Sequence, residues 1–307
     1  MSAKEFGVLL ALGAIWGASF MFIKVGGAEI QPFFLVEMRL GLAALVMLAI
    51  VARQRGALSG LIRHWRPLLV MGVLNCALPY TLLTWGETYI SSGLAAILNA
   101  CAPLWSALLG FVWVWAERLA PSRLLGVLVG FGGVVLVVSA NLSGGEEGIM
   151  QFVAQGAVLT MALSYAVAGV YGRKALKGVQ PIIPAAGQLI TGALVLMPLA
   201  AFQVPQVVPS WQALGAVITL AILGTALASL LFYWLLARVG TTKTLLVTYL
   251  LPIFALLWGA LFLREEVTLP AVVGLALVLL GITITSGRGA PIVVWLRNKT
   301  RGATALF

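Results

Sequence analysis

One segment of this chain is written twice. Residues 80–139 recur at 229–288 under a constant shift of 149 residues, without a gap. Trp85 falls on Trp234, Pro103 on Pro252, Gly110 on Gly259, Glu117 on Glu266, Pro121 on Pro270 and Gly132 on Gly281. Matched leucines would mean little in so apolar a chain; matched Trp, Pro and Glu mean more. Carried backwards, the same shift pairs Gln31 and Pro32 with Gln180 and Pro181, and Trp16 with Tyr165. The chain is an internal duplication, so its fold must be one that each half builds for itself.

What each half builds follows from composition. Of 307 residues, 62% are hydrophobic and 9% charged, and the mean hydropathy is +1.08. These values describe a polytopic membrane protein with the lipid bilayer as its first partner. Runs of about 20 apolar residues predict ten spanning helices, at 6–25, 33–53, 67–87, 94–115, 121–140, 150–171, 182–202, 212–236, 243–262 and 269–287. The first follows Lys4 as a signal peptide would. Its apolar run is too long for such a leader, and it has a repeat partner in the sixth span, so it is expected to be retained. Ten Trp suit interfacial anchoring. Cys76 and Cys101 lie within apolar runs at no metal or disulfide spacing, and read as small hydrophobes. No cofactor or metal is expected.

The net charge of +10 does not indicate nucleic acid, because Lys and Arg sit in short clusters between the spans, as a topology signal does. With the N-terminus in the cytoplasm, 16 of the 19 basic residues share that side, including the tail at 288–307. Lys24, Arg264 and Arg39 remain towards the other side, where the connection 141–148 carries Glu146 and Glu147 and no base. Both termini are then cytoplasmic. Five spans per unit is an odd number, so the second unit (145–287) enters the membrane upside down relative to the first (1–144). The expected fold class is all-α integral membrane, ten transmembrane helices in two inverted-topology repeats around a central cavity. Such symmetry permits two related conformations open to opposite sides, which points to transport. The alternative is duplication that merely builds a large bundle.

Two spans read small or polar along one face: Ser92, Ala95, Asn99, Pro103, Ser106 and Gly110 in the fourth, Thr244, Thr248, Pro252, Ala255 and Gly259 in the ninth. A proline inside a span frees a carbonyl one turn earlier, near Asn99 and Thr248, for a hydroxyl, amide or water to satisfy. A kinked, cavity-lining helix and a tightly packed one both fit this pattern. Trp16 and Tyr165 sit mid-helix as repeat partners, where they either sandwich a planar ligand or serve as core aromatics. Ser19, Tyr80, Thr84 and Tyr249 complete the candidate binding set.

Charges inside spans are functional suspects. Lys24, Glu37 and Arg39 form a candidate gate at the outer mouth, against the alternative that they snorkel to the interface. No acid falls at mid-depth, which favours facilitated over proton-coupled transport, with Glu37 keeping coupling open. Gly126 and Gly130 form a GxxxG that packs helices within the chain or pairs two chains; a monomer is expected, a dimer remaining open. An integral-membrane enzyme would need convergent acids, metal ligands or an activated nucleophile. The one histidine, His64, lies between spans.

Ten helices in two units, the opening Trp16-Gly17-Ala18-Ser19-Phe20 followed by Lys24, and the link Glu117-Arg118-Leu119-Ala120-Pro121 with its echo Glu266-Val267-Thr268-Leu269-Pro270 resemble the drug/metabolite transporter superfamily, in its EamA-type branch. The resemblance covers residues 6–287. It implies an inner-membrane exporter of metabolites or toxic compounds, and the aromatic amino acid and viologen exporter subgroup is the preferred match. It also implies a basket in which spans 1–4 and 6–9 enclose a cavity faced by Trp16, Asn99, Pro103, Tyr165, Thr248 and Pro252, with spans 5 and 10 outside. The small multidrug exporters, distant relatives, couple to protons through a glutamate in their first helix; spans 1 and 6 here have no acid at mid-depth. The expected cargo is therefore a small amphipathic metabolite, aromatic and other neutral amino acids foremost, with a proton-coupled exporter of drugs or organic cations as the alternative.

Overall fold

The computed structural model describes residues 1–114, 121–142 and 145–286, with the side chains at 111–114, 241 and 242 left aside. Glu117 and the basic tail from 288 lie outside the described residues. Among the described residues there is no strand. The described residues hold eight apolar helices long enough to span a membrane and two shorter ones: α1 (Ala3–Gly27), α2 (Pro32–Ala52), α3 (Trp65–Gly86), α4 (Ser92–Gly110), α5 (Pro121–Ala140), α6 (Gly145–Ala175), α7 (Ile182–Gln203), α8 (Trp211–Gly240), and the shorter α9 (Val247–Leu263) and α10 (Leu269–Thr285). The last two have 17 residues each, at the short end of what crosses the hydrocarbon core. α8 ends where the chain turns at Gly240, whose φ of 75° is one that glycine adopts without strain, and α9 begins later than its apolar run, after a second turn at 245–246.

Local chemistry starts these helices where the spans begin. Ser2 and Glu5 form a reciprocal capping box on α1, and Pro32 opens α2 where its missing N–H costs nothing. The hydroxyls of Ser91, Ser210 and Thr268 cap α4, α8 and α10. Outward, large apolar side chains such as Leu45, Leu128, Val135, Leu194 and Leu261 stand exposed, as a lipid-facing surface requires.

The packing displays the inverted repeat directly. α2 and its repeat partner α7 lie antiparallel; the Phe33 N–H at the start of α2 donates to Gln203 Oε1 at the end of α7 (2.8 Å). α5 and its partner α10 are also antiparallel, with Gly126 against Gly281 and Thr285, and Gly133 against Gly274 and Val278. A two-fold axis that exchanges the halves must pass between the members of each pair. Because the members run in opposite directions, that axis lies in the membrane plane. The remaining contacts obey it: α1 packs on α9 as α6 packs on α4, and α1 on α8 as α6 on α3. The GxxxG glycines are thus engaged between α5 and α10 of one chain.

Candidate functional site

α3 and α8 are each interrupted by one π-helical stretch, at Val73–Ala77 and Ile222–Leu227. The shift of 149 carries one onto the other, so both halves break their third helix at the same place, close to mid-span. A π-turn carries an extra residue and leaves carbonyls offset, which is why such turns recur at functional sites. Here side chains take up those carbonyls: Ser164 Oγ of α6 donates to Leu74 O (2.7 Å), and Thr225 Oγ1 to Leu220 O (2.9 Å). Ser19 of α1 sits against the second turn, beside Gly224.

Two polar bonds cross between the halves at this level. Arg39 of α2 donates from Nε to Thr225 Oγ1 of α8 (2.8 Å). Its repeat partner, Gln188 of α7, accepts at Oε1 from Asn75 Nδ2 of α3 (2.8 Å). The second helix of each half therefore grips the π-turn of the other half's third helix. One grip is charged and the other neutral.

Arg39 is only 4% exposed. Its guanidinium lies over the Tyr80 ring, 3.7 Å from the centroid, a cation–π contact strengthened by desolvation. Nη1 is buried without a hydrogen-bond partner. The charge reaches Tyr165 of α6 as well, and Tyr233 of α8 and Cys76 share the neighbourhood. Charged, amide and phenolic groups from five helices or more thus converge at mid-depth, between apolar layers.

Polar bonds tie the helix ends together at the end of the bundle opposite the N-terminus. Lys24 Nζ donates to the carbonyls of Glu87 and Ile90, the latter at 2.8 Å, binding α1 to the α3–α4 turn. The Glu265 carboxylate, just after α9, accepts from Ser92 N, Ser92 Oγ and Gly93 N (2.9, 2.8 and 3.2 Å), neutralising the N-terminus of α4. Glu29 accepts from Ser210 N and Oγ at the start of α8 (2.6 and 2.5 Å). Those bonds, the side-chain one first, hold its carboxyl below the usual carboxylate range. Glu87 is 1% exposed, and neither carboxylate oxygen has a partner. With Thr84 and Lys24 it lines a hollow of about 160 Å³.

A sequence model of the EamA-like transporter family matches the chain twice, over residues 5–139 and 154–287. The chain belongs to the EamA-like transporter family. It is accordingly a membrane transporter of the drug/metabolite transporter superfamily. An uncharacterised transporter of Archaeoglobus fulgidus is 25% identical over 284 residues, which is 92% of this chain and 98% of that one. The uncharacterised inner membrane transporter YedA of Escherichia coli K12 is 27% identical over 260 residues, 83% of this chain and 81% of its own length. A crystal structure at 18% identity superposes with a TM-score of 0.64, covering 95% of this chain and 99% of the other, and shares the fold.

Within this EamA fold the expected site residues separate into groups. Tyr80 lies under the Arg39 guanidinium, Tyr165 is within electrostatic reach of both, and Ser19 abuts the π-turn of α8 while donating to Ile15 O (3.1 Å). Trp16 lies elsewhere: it packs on Phe232 (5.5 Å between centroids), among Leu9, Leu12, Trp234 and Leu250, so the two repeat-related aromatics form no sandwich. Thr84 lines the hollow with Glu87, its Oγ1 buried and without a partner. Thr248 Oγ1 is bonded to Leu245 O of its own chain turn (2.7 Å), and Tyr249 packs against the main core. Asn99 ends the first segment of α4, Ser92–Asn99. The second segment, Ala102–Val114, opens one residue before Pro103. Pro252 is buried inside an unbroken α9. Of the gate trio, Lys24 ties the far end and Arg39 turns into the mid-depth layer. Glu37 leaves Oε2 buried without a partner. Asn75, Gln188, Thr225, Tyr233 and Glu265 were not anticipated. The signal for Gln188 and Thr225 was present: under the shift of 149, Arg39 falls on Gln188 and Cys76 on Thr225, each a polar or polarisable residue amid apolar runs.

Proposed function

We propose that the chain exports small amphipathic metabolites across a bacterial inner membrane by alternating access, with aromatic and other neutral amino acids as its cargo. The observation that supports this most is the mid-depth layer itself, in which repeat-related π-turns and repeat-related polar bonds join the two halves. Inverted repeats place their binding sites at such a level. Both bonds cross between halves, so rocking one half against the other would act on the layer from both sides at once. Tyrosine faces offer apolar walls with polar edges, suited to a ligand that is itself part apolar and part polar. The ties at Lys24, Glu265 and Glu29 fit a conformation closed at the end opposite the N-terminus, which the distribution of basic residues puts outside the cell.

Purified protein in liposomes should take up labelled phenylalanine and tryptophan saturably, and unlabelled phenylalanine trapped inside should accelerate entry. Acceleration by substrate on the opposite side is the signature of one site presented alternately. Neither saturation nor acceleration with any of phenylalanine, tryptophan or threonine would remove amino acids as the cargo.

A further inference from the structure

We propose that Arg39 recognises the carboxylate of the transported molecule, so that the mid-depth site takes small organic monocarboxylates. The proposal rests on the layer being the transport site.

An arginine within a spanning helix is costly unless something balances it. Among the described residues nothing anionic does so here. Thr225 and the Tyr80 face are neutral, and the guanidinium makes one hydrogen bond, from Nε. Glu87 feels the charge without bonding to it. Glu37, two residues away on the same helix, points to another side of α2 at about 100° per residue. The group is nevertheless held in place, ring below and hydroxyl at one edge, which leaves Nη1 buried and unpartnered.

A fixed guanidinium with a buried, unpaired N–H presents a planar donor group matched to a carboxylate. Because its orientation is set beforehand, a ligand spends little of its binding free energy on ordering it. Charge decides between anions. One carboxylate neutralises one guanidinium, whereas a phosphate dianion would bury a surplus negative charge with no second cation in the layer among the described residues. Organic cations would meet an unbalanced positive charge. The other half reinforces this, since the repeat position of Arg39 is the neutral Gln188, already bonded to Asn75. The layer is charged on one side only, which suits an asymmetric molecule with one anionic end.

The test compares phenylalanine, 3-phenylpropionate, phenylalaninamide and phenyl phosphate as inhibitors of labelled phenylalanine uptake in proteoliposomes. In parallel, their protection of the detergent-solubilised chain against heat is measured. The two carboxylates should inhibit and protect at concentrations at least tenfold lower than the amide and the phosphate. Arg39→Gln should erase that ranking, and Arg39→Lys should restore part of it. An amide as effective as the acid, or a ranking that survives Arg39→Gln, would overturn the proposal while leaving the transport site in place. Phenyl phosphate ahead of both carboxylates would overturn it in favour of phosphate. If Arg39→Gln fails to fold, the heat-protection ranking on the unaltered chain decides alone. If none of the four compounds inhibits or protects, the transport reading of the layer falls, and this proposal with it.

Discussion

Gly281→Leu is expected to be the most damaging single substitution outside the polar layer. A Cβ at Gly281 would stand 2.5 Å from Gly126 O and from Gly130 N, and 2.6 Å from Gly130 Cα. All three are main-chain atoms, so no rotamer change relieves the clash and α5 must part from α10. Overpacking of this kind costs about 1–3 kcal/mol for added methylenes. Helix association in a bilayer depends on this close approach, because lipid supplies no hydrophobic drive. The built-in control is Gly132, its repeat partner, where a Cβ meets nothing within 4 Å. Thermal unfolding in detergent should show Gly281→Leu destabilised by roughly 3 kcal/mol, and Gly132→Leu within about 0.5 kcal/mol of the unaltered chain. Equal stability of the two variants would show that the helices do not meet through these glycines.

The largest functional loss is expected from Tyr80→Leu. The ring is the surface on which the Arg39 guanidinium rests, at 3.7 Å, and a desolvated cation–π contact contributes about 2 kcal/mol. That corresponds to roughly a thirtyfold change in an equilibrium. Leucine fills much of the volume, so the folded yield should hold while amino acid uptake falls at least tenfold. Tyr80→Phe keeps the face and loses the hydroxyl, and should stay within about threefold by the same conversion. If Phe is as damaging as Leu, the hydroxyl and not the face is what the site uses. If neither matters, Tyr80 is not in the pathway.

The two variants mark what the sequence could and could not disclose. Spans and inverted order are one-dimensional properties: run length, an odd number of helices per unit and a repeated Trp, Pro and Gly pattern fix them without knowledge of contacts. The residues at the centre were harder to place because depth along a helix is legible while rotation about it is not. Arg39 was visible as a charge seven residues into α2. That helix is apolar on nearly every side, so no periodicity told whether the guanidinium faced a gate or a chamber. The same ambiguity separated Trp16 from Tyr165, which share a depth by repeat but turn to different neighbours. The π-turns were hidden for another reason. One extra residue in a run that stays apolar on nearly every side, Asn75 and Thr225 apart, leaves no break in its periodicity, and only the backbone hydrogen bonding of the folded chain reveals it. Pro103 and Pro252 show a third limit: identical residues at repeat positions stand just inside a new helical segment in α4 and inside a continuous helix in α9.

The central claim is that the mid-depth layer is a single site presented alternately to the two sides of the membrane. The direct measurement places a cysteine in it, Tyr165→Cys in a chain carrying Cys76→Ser and Cys101→Ser. The sites are then probed with a membrane-impermeant thiol reagent in right-side-out and in everted vesicles. Alternating access predicts modification from both faces, slowed from either one by phenylalanine. A thiol reached from one face alone, or reached from both at a rate that phenylalanine does not change, would contradict it.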